Sequence, residues 1–138
     1  MKKLPLILIC TVLLTSCATT TQKVLDAGGE TQLQKRSYQS RTFEVGDKKR
    51  VMRAVISTLQ DLGFVIDRTD LLLGTVSGTK LDGEQTKITV SVRQKGNDRM
   101  MVRANAQYND QPVVEPVHYQ NFFASLEKSL FLVANAGE

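Results

Sequence analysis

The chain alternates apolar and polar residues with a period of two in several stretches, which is typical of strands. The clearest run lies at residues 87–93, where three apolar side chains alternate with polar ones, as in a strand buried on one face. The same period recurs at residues 102–108 and, more briefly, at residues 41–45. Residues 64–68 are rich in β-formers, and residues 74–80 show a weaker strand pattern whose two glycines would let a helix approach closely.

Two other stretches carry apolar residues at the spacing of one helix face. The first runs from Val51 to Leu62, with Asp47 as the predicted N-cap and Gly63 as the left-handed residue that ends the helix. The second follows Pro116 and has the larger apolar side chains: Tyr119, Phe122, Phe123, Leu126, Leu130 and Val133. We expect this second helix to contribute most of the core, because each large side chain stabilises by roughly 1.5 to 3 kcal/mol when buried.

Turn signals separate the predicted strands. Asp82-Gly83 is typical of a hairpin, and residues 95–98 indicate a second turn, so the strands after the first helix are expected to form an antiparallel meander. The predicted element order is β-α-β-β-β-α, with three strands after the first helix. This order describes a two-layer α+β fold, in which both helices cover one face of a four-stranded antiparallel sheet.

The N-terminus has the pattern of a secretory signal peptide over residues 1–16. Met1-Lys2-Lys3 supplies positive charge, and the mostly apolar run at residues 4–14 is shorter than the about 20 residues that a spanning helix needs. The run closes on Leu14-Thr15-Ser16-Cys17, which places a cysteine directly after the predicted cleavage point.

This closing motif resembles the lipobox of Gram-negative bacterial lipoproteins. The resemblance implies cleavage before Cys17, diacylglycerol on its thiol, and a fatty acid such as palmitate on the new amino terminus. Position 18 is Ala rather than the Asp that marks inner-membrane retention, which implies an outer-membrane lipoprotein whose domain faces the periplasm. An ordinary secretory signal with an incidental cysteine and an uncleaved signal anchor are the alternatives.

Residues 17–40 are predicted to form a lipidated, flexible tether. Polar amides and hydroxyls dominate this segment, and no helical or strand period extends over a useful window. The tether therefore connects the membrane to a globular domain predicted at residues 41–138.

Charge and cysteine content limit the possible partners of the domain. Of the 18 Lys and Arg residues, Lys2 and Lys3 lie in the leader, which leaves 16 against 14 Asp and Glu, a formal charge of +2. Nucleic-acid binding is not expected, because it would need a basic surplus gathered on one face. The two cysteines are Cys10 and Cys17, so no disulfide is predicted in the domain.

The stretch from Leu59 through Gly63 to Asp67, followed by Gly74 and Val76, resembles the helix-grip domains of BamC-like envelope lipoproteins. The resemblance covers about 20 residues and the order of the elements. It implies a helix-grip fold and a role beside an envelope complex such as the β-barrel assembly machine. Those lipoproteins carry two such domains, whereas this chain has one.

Residues with catalytic potential are few. His118 is the only histidine, and we predict it to be a surface or capping residue near the start of the second helix. One imidazole without partner cysteines does not make a zinc site, and the sequence has no HExxH, CxxC, GxSxG or phosphate-binding loop. We therefore predict no catalytic residue, no metal and no cofactor, and a protein that is not an enzyme.

Lys48, Lys49 and Arg50 occupy the first turn of the first predicted helix. The positive end of a helix dipole favours anions at this place, so three cations there suggest contact with phosphate, lipid A or an acidic partner. The alternative is a solvated corner whose charges are neutralised by Asp47 and Glu44.

Together these observations predict a non-enzymatic outer-membrane lipoprotein that docks on another envelope protein as an assembly or scaffolding accessory. The binding surface is expected on the polar outer face of the sheet, on an edge strand or in a helix groove. The alternative is a small-ligand or lipid-binding module, which a ligand-sized cavity lined by Tyr108, Phe122 and Phe123 would favour. Ionisable groups gathered around His118 in a cleft would instead favour an enzyme.

Overall fold

The computed structural model describes residues 31–135, apart from the side chains of residues 84 and 133–135. The predicted signal peptide, the lipobox and the tether as far as residue 30 lie outside the described residues. The described part contains the helices α1 (Gln32–Gln39), α2 (Lys48–Asp61) and α3 (Pro116–Asn135). Its strands are β1 (Ser40–Phe43), β2 (Val65–Asp70), β3 (Thr75–Asp82), β4 (Glu84–Gln94), β5 (Met100–Tyr108) and β6 (Gln111–Pro112).

The strands form one antiparallel sheet with the order β1-β5-β4-β3-β2, and β6 pairs with the end of β5. The α+β class and the antiparallel sheet are confirmed, but the expected four strands are too few. Four stretches after the first helix carry a strand pattern, at residues 64–68, 74–80, 87–93 and 102–108, and the predicted order counted only three strands there. All four form strands, because the stretches at residues 64–68 and 74–80 correspond to two separate ones. These two, β2 and β3, pair with each other, with an irregularity between Ile66 and Arg68.

The core lies between one face of the sheet and the helices α2 and α3. The register aligns Val76, Val90 and Ala104 across β3, β4 and β5 on this face, and all three are buried. Each helix buries residues that its periodicity predicts: Val51, Ala54, Val55 and Leu59 from α2, and Tyr119, Phe122, Phe123, Leu126 and Leu130 from α3. The sheet therefore has one apolar face against the helices and one polar face that stays exposed or half-buried.

Helix α2 has the ends that its sequence predicts. The Asp47 carboxylate caps the helix by accepting bonds from the backbone N–H groups of Lys49 at 2.8 Å and Arg50 at 3.2 Å. At the other end Gly63 has a φ of +85°, and the N–H groups of this residue and the next bond back to the helix as in a Schellman motif. The chain is thereby redirected into β2.

Helix α1 corrects the expectation of a flexible tether that continues to residue 40. It is held by α3: the rings of Tyr38 and Tyr119 lie 5.3 Å apart, and Gln39 is buried with its Nε2 3.4 Å from the Tyr119 hydroxyl. The sequence of α1 has no apolar stripe at helical spacing. These tertiary contacts therefore stabilise the helix in place of an amphipathic face. The domain therefore begins before residue 41.

The glycines at positions 74 and 78 were expected to let a helix approach the sheet closely, but their nearest neighbours belong to adjacent strands. A Cβ atom on Gly74, directly before β3, would first meet the Val92 carbonyl oxygen on β4 and then Lys48 Cε, a side-chain atom of α2, at 2.6 Å. At Gly78 the nearest atom to such a Cβ is the Val65 carbonyl oxygen on β2, at 3.0 Å. Gly78 thus allows a close approach of the neighbouring strand rather than of a helix.

The two long helices run in opposite directions over the sheet. α2 begins beside Gly74, at one end of β3, and ends beside Lys80 at the other. α3 returns along the sheet, so that the Leu130 carbonyl oxygen accepts a bond at 3.2 Å from Arg50 in the first turn of α2. We refer to the end of the domain at the β3–β4 turn as the hairpin end, and to the end at the β2–β3 turn, residues 71–74, as the leucine end.

Candidate functional site

An open groove lies at the hairpin end, between the sheet, the C-terminal end of α2 and the N-terminal end of α3. It forms because the strands are longer than the helix that covers them. The 11 residues of β4 span roughly 36 Å, whereas the 14 residues of α2 span roughly 21 Å. The β3–β4 hairpin therefore extends past α2, and its helix-facing side remains uncovered.

The groove has a volume of about 850 Å³ and an apolar floor. This volume lies within the range of about 300 to 1,000 Å³ that is usual for ligand pockets. Apolar side chains from several elements form the floor: Leu62 and Phe64 directly after α2, Ile88 on β4, Ala106 on β5, Val113 after β6 and Phe122 on α3. A floor of this kind suits an occupant that is apolar at its centre.

The rim of the groove is polar and carries two pairs of ionisable side chains. On the sheet side Lys80 Nζ lies 3.5 Å from Asp82 Oδ2. On the helix side His118 Nε2 lies 3.0 Å from Glu115 Oε2. Both pairs lie at the surface, and each is formed within one wall of the groove.

Tyr119 fixes the segment after β6, which forms one wall of the groove. Its hydroxyl donates a hydrogen bond to the Val113 carbonyl oxygen at 2.8 Å and accepts one from the Ala106 N–H at 3.2 Å. Val113 also donates its own N–H to the Ala106 carbonyl oxygen at 2.9 Å. The segment is therefore tied to β5, and it leaves Val114 half-exposed, at 43%, beside the groove.

A short hairpin forms the outer corner of the same wall. Within residues 109–115, β6 pairs with β5 through Gln111 and Tyr108. The connecting residues Asn109 and Asp110 have φ angles of +47° and +63°, as in a type I′ turn. The hairpin places Tyr108 at the groove with 46% of its surface exposed.

The aromatic residues named for a ligand cavity separate in the structure. Tyr108 and Phe122 line the groove, whereas Phe123 lies in the core, where its ring contacts that of Phe43 with centroids 6.5 Å apart. His118 is a surface residue near the start of α3, as its position in the sequence predicts. The lipidation residues lie outside the described residues: Leu14, Thr15, Ser16 and Cys17.

The three cations at the start of α2 lie at the leucine end, far from the groove, and do not converge on one site. Lys48 Nζ donates to the Leu72 carbonyl oxygen at 2.9 Å. Arg50 Nη2 bonds to the end of α3, and Lys49 is exposed. Asp47 already accepts bonds from the backbone N–H groups at the helix start, where an anion would otherwise bind.

The free edges of the sheet are protected against addition of another strand. β1 has four residues. β2 carries Asp67 and Arg68 at its edge and is interrupted between Ile66 and Arg68. Short edges, charges and bulges are features by which sheets resist edge pairing, so the groove is the better binding candidate.

A helix groove was one of the expected binding surfaces, but its position at the hairpin end was not predicted, although the sequence contains a signal for it. On β3 the helix-facing positions change from buried Val76 to polar Lys80 and Asp82 as the strand nears the hairpin. On β4, which starts at the hairpin, the helix-facing position nearer the hairpin is polar Thr86, and the next one is buried Ile88. A helix-facing row that becomes polar indicates where the covering helix ends.

Comparison with known proteins assigns no family: no family model matches the chain, and no curated protein matches it significantly. Within residues 31–135, no three His, Cys, Asp or Glu side chains gather as they do around a metal ion. None of the helices in this part is both long and apolar enough to cross a membrane.

Proposed function

We propose that this chain is a lipid-anchored lipoprotein of the Gram-negative outer membrane, whose periplasmic domain binds another envelope protein as a non-enzymatic accessory or scaffold subunit. The anchor is supported by the sequence: Lys2 and Lys3 precede a short apolar run that ends in Leu14-Thr15-Ser16-Cys17. Ala18 supports the outer membrane as the destination. Acyl chains on Cys17 would hold the domain at the inner leaflet.

The uncovered groove at the hairpin end is the observation that supports binding of a protein segment. Its floor is apolar, and Tyr108 and Val114 remain half-exposed at its sides. Aromatic residues beside an apolar pocket are typical anchors of protein interfaces. The charges of the rim pair within each wall, so the groove suits a segment with an apolar, uncharged centre rather than an acidic or basic one.

The rim pairs support binding rather than catalysis. Lys80 and Asp82 interact with each other, as do His118 and Glu115, and all four lie at the surface, where water competes for their hydrogen bonds.

A small-ligand or lipid-binding module is the second candidate, and the groove itself is the observation that favours it. Its volume matches that of ligand sites, and Tyr108 and Phe122 line it. Ligand pockets, however, usually enclose 70–90% of a bound molecule. A groove open along one side suits a peptide segment better, and this ranks the protein partner first.

We also propose that the domain has a helix-grip fold. Both long helices pack on one face of the antiparallel sheet, and the groove opens between that face and the start of the C-terminal helix. This arrangement supports the helix-grip proposal, which started from the resemblance to BamC-like lipoproteins around Gly63 and Gly74.

Metabolic labelling with palmitate tests the anchor. The wild-type chain should incorporate label and fractionate with the outer membrane, and Cys17→Ser should do neither. Cys10→Ser is the matched control and should be labelled normally, because Cys10 lies in the part that is cleaved. Label on Cys17→Ser would refute the lipoprotein assignment.

Site-specific photocrosslinking in whole cells tests the groove. A photoreactive amino acid at Val114 should yield one reproducible adduct of protein mass, whereas the same group at Asn105, on the polar outer face of β5, should not. Adducts of lipid mass at Val114, together with lipid extracted from the purified chain in a fixed ratio, would favour the second candidate. Equal adducts at both positions would refute a groove-specific partner.

A further inference from the structure

We infer that the leucine end of the domain contacts a membrane surface, with Leu71, Leu72 and Leu73 in the headgroup region of a bilayer that contains anionic phospholipid. This surface lies at the opposite end of the sheet from the groove. The inference goes beyond the proposed function, and it does not depend on the lipid anchor or on the occupant of the groove.

The β2–β3 turn exposes three consecutive leucines. Leu71, Leu72 and Leu73 are 55%, 89% and 66% exposed, and they fill the turn. Scattered single leucines are ordinary on a protein surface, but a contiguous apolar patch marks a contact site. A turn of three exposed leucines has the shape of a small apolar protrusion.

The backbone of this turn is fixed while its side chains stay exposed. The Asp70 carboxylate accepts a bond from the Leu73 N–H at 2.8 Å, and the Gly74 N–H bonds to the Asp70 carbonyl oxygen at 2.8 Å. Lys48 Nζ bonds to the Leu72 carbonyl oxygen. These bonds hold the protrusion in place, so insertion would require little further ordering of the chain.

Two more apolar side chains lie at the same end. Phe131 and Leu132 are 68% and 56% exposed near the end of α3. The preceding residue, Leu130, is bonded to Arg50 in the first turn of α2, and Lys48 of that turn holds the leucine turn. One helical turn thus connects both apolar segments.

Cations outnumber carboxylates around these apolar side chains. Among the described residues of this end, the cations are Lys48, Lys49, Arg50, Arg93, Lys95 and Arg99, and the carboxylates are Glu44, Asp47, Asp70 and Asp98. Each Lys or Arg close to an anionic bilayer improves binding by roughly fivefold. Exposed apolar groups beside basic ones form the pattern of interfacial membrane binding, and the positive charge favours an anionic lipid surface over a neutral one.

Photocrosslinking of the full chain in liposomes tests the inference. The photoreactive group is placed at Leu72 or, as a matched control, at Leu81, which is 79% exposed but lies near the hairpin end. In liposomes of phosphatidylethanolamine and phosphatidylglycerol, lipid adducts at Leu72 should exceed those at Leu81 by about fivefold or more. Equal yields at the two positions would overturn the inference.

A charge reversal tests the role of the cations. Lys49 is exposed and, unlike Lys48, does not hold the leucine turn in place. Lys49→Glu should lower the yield of the Leu72 lipid adduct about fivefold or more in the anionic liposomes. In phosphatidylcholine liposomes it should have no effect. An unchanged lipid adduct of the Lys49→Glu variant in anionic liposomes would overturn the inference. It would also be overturned if the group at Leu72 crosslinked to a second copy of the chain or, in cells, to another protein.

Discussion

The ammonium group of Lys48 lies 2.9 Å from the carbonyl oxygen of Leu72 and connects the start of α2 to the β2–β3 turn. Its side chain crosses Gly74, where the absence of a Cβ leaves room for it. A cation in the first turn of a helix is unfavourable for the helix dipole. The bond to Leu72 explains why this position nevertheless holds a lysine.

Removal of this brace should loosen the leucine end. Lys48→Ala is expected to lower the free energy of unfolding by about 1 kcal/mol, since the lost hydrogen bond outweighs the relief of a few tenths from the helix dipole. Lys49→Ala, on the same turn but exposed, should be neutral or slightly stabilising. Urea unfolding of both variants measures the difference, and equal effects would show that the Lys48 bond contributes nothing.

The N-cap of α2 gives a second prediction. Asp47→Ala removes the acceptor for two backbone N–H groups and should cost about 0.5 to 2 kcal/mol. Asp61→Ala is the matched change at the last residue of the same helix, where a carboxylate is unfavourable, and it should be neutral or stabilising. Thermal unfolding compares the two, and a larger loss at Asp61 would contradict the assigned cap.

Two left-handed glycines should differ in their tolerance of alanine. Gly83 has a φ of +78° and open space around a Cβ atom, so Gly83→Ala should cost about 1 to 2 kcal/mol of backbone strain. Gly74 has a φ of +72°, but a Cβ there would also clash with the Val92 carbonyl oxygen and with Lys48. Gly74→Ala should therefore cost at least twice as much in urea unfolding, and similar costs would show that the contact is not tight.

The Tyr119 hydroxyl should stabilise the wall of the groove. Tyr119→Phe keeps the buried ring but leaves the Ala106 N–H and the Val113 carbonyl oxygen without this partner, at a cost of about 1 to 3 kcal/mol. For a domain of this size the melting temperature should fall by roughly 4 °C or more. Tyr108→Phe, on a half-exposed side chain whose bonds water can replace, should change it by less. Equal shifts would contradict the role given to Tyr119.

The sequence predicted the elements whose pattern is local. The stripe from Val51 to Leu59 and the stripe from Tyr119 to Leu130 are both buried as their helical spacing predicts. The caps of α2 followed from single residues, because Asp side chains and glycines act on the backbone next to them. The number of strands did not follow, because the exposed edge strand β2 shows no clean alternation.

The features that the sequence did not predict depend on contacts between residues far apart in the sequence or on the relative lengths of helices and strands. Helix α1 exists because Tyr38 and Gln39 contact Tyr119, some 80 positions further along the chain. The groove exists because β3 and β4 extend past α2, and the sequence records this only in the helix-facing row of β3, which becomes polar at Lys80 and Asp82. The basic helix start was visible in the sequence, but the bond from Lys48 to Leu72 depends on the tertiary fold.

Blocking the groove tests its proposed role most directly. Thr86 and Thr89 lie on the same strand, β4, with Thr86 at the groove and Thr89 exposed on the outer face. Thr86→Trp should fill the groove and abolish the protein adduct obtained from the photoreactive group at Val114, whereas Thr89→Trp should leave it unchanged. An adduct that survives Thr86→Trp in the folded chain would contradict binding through the groove.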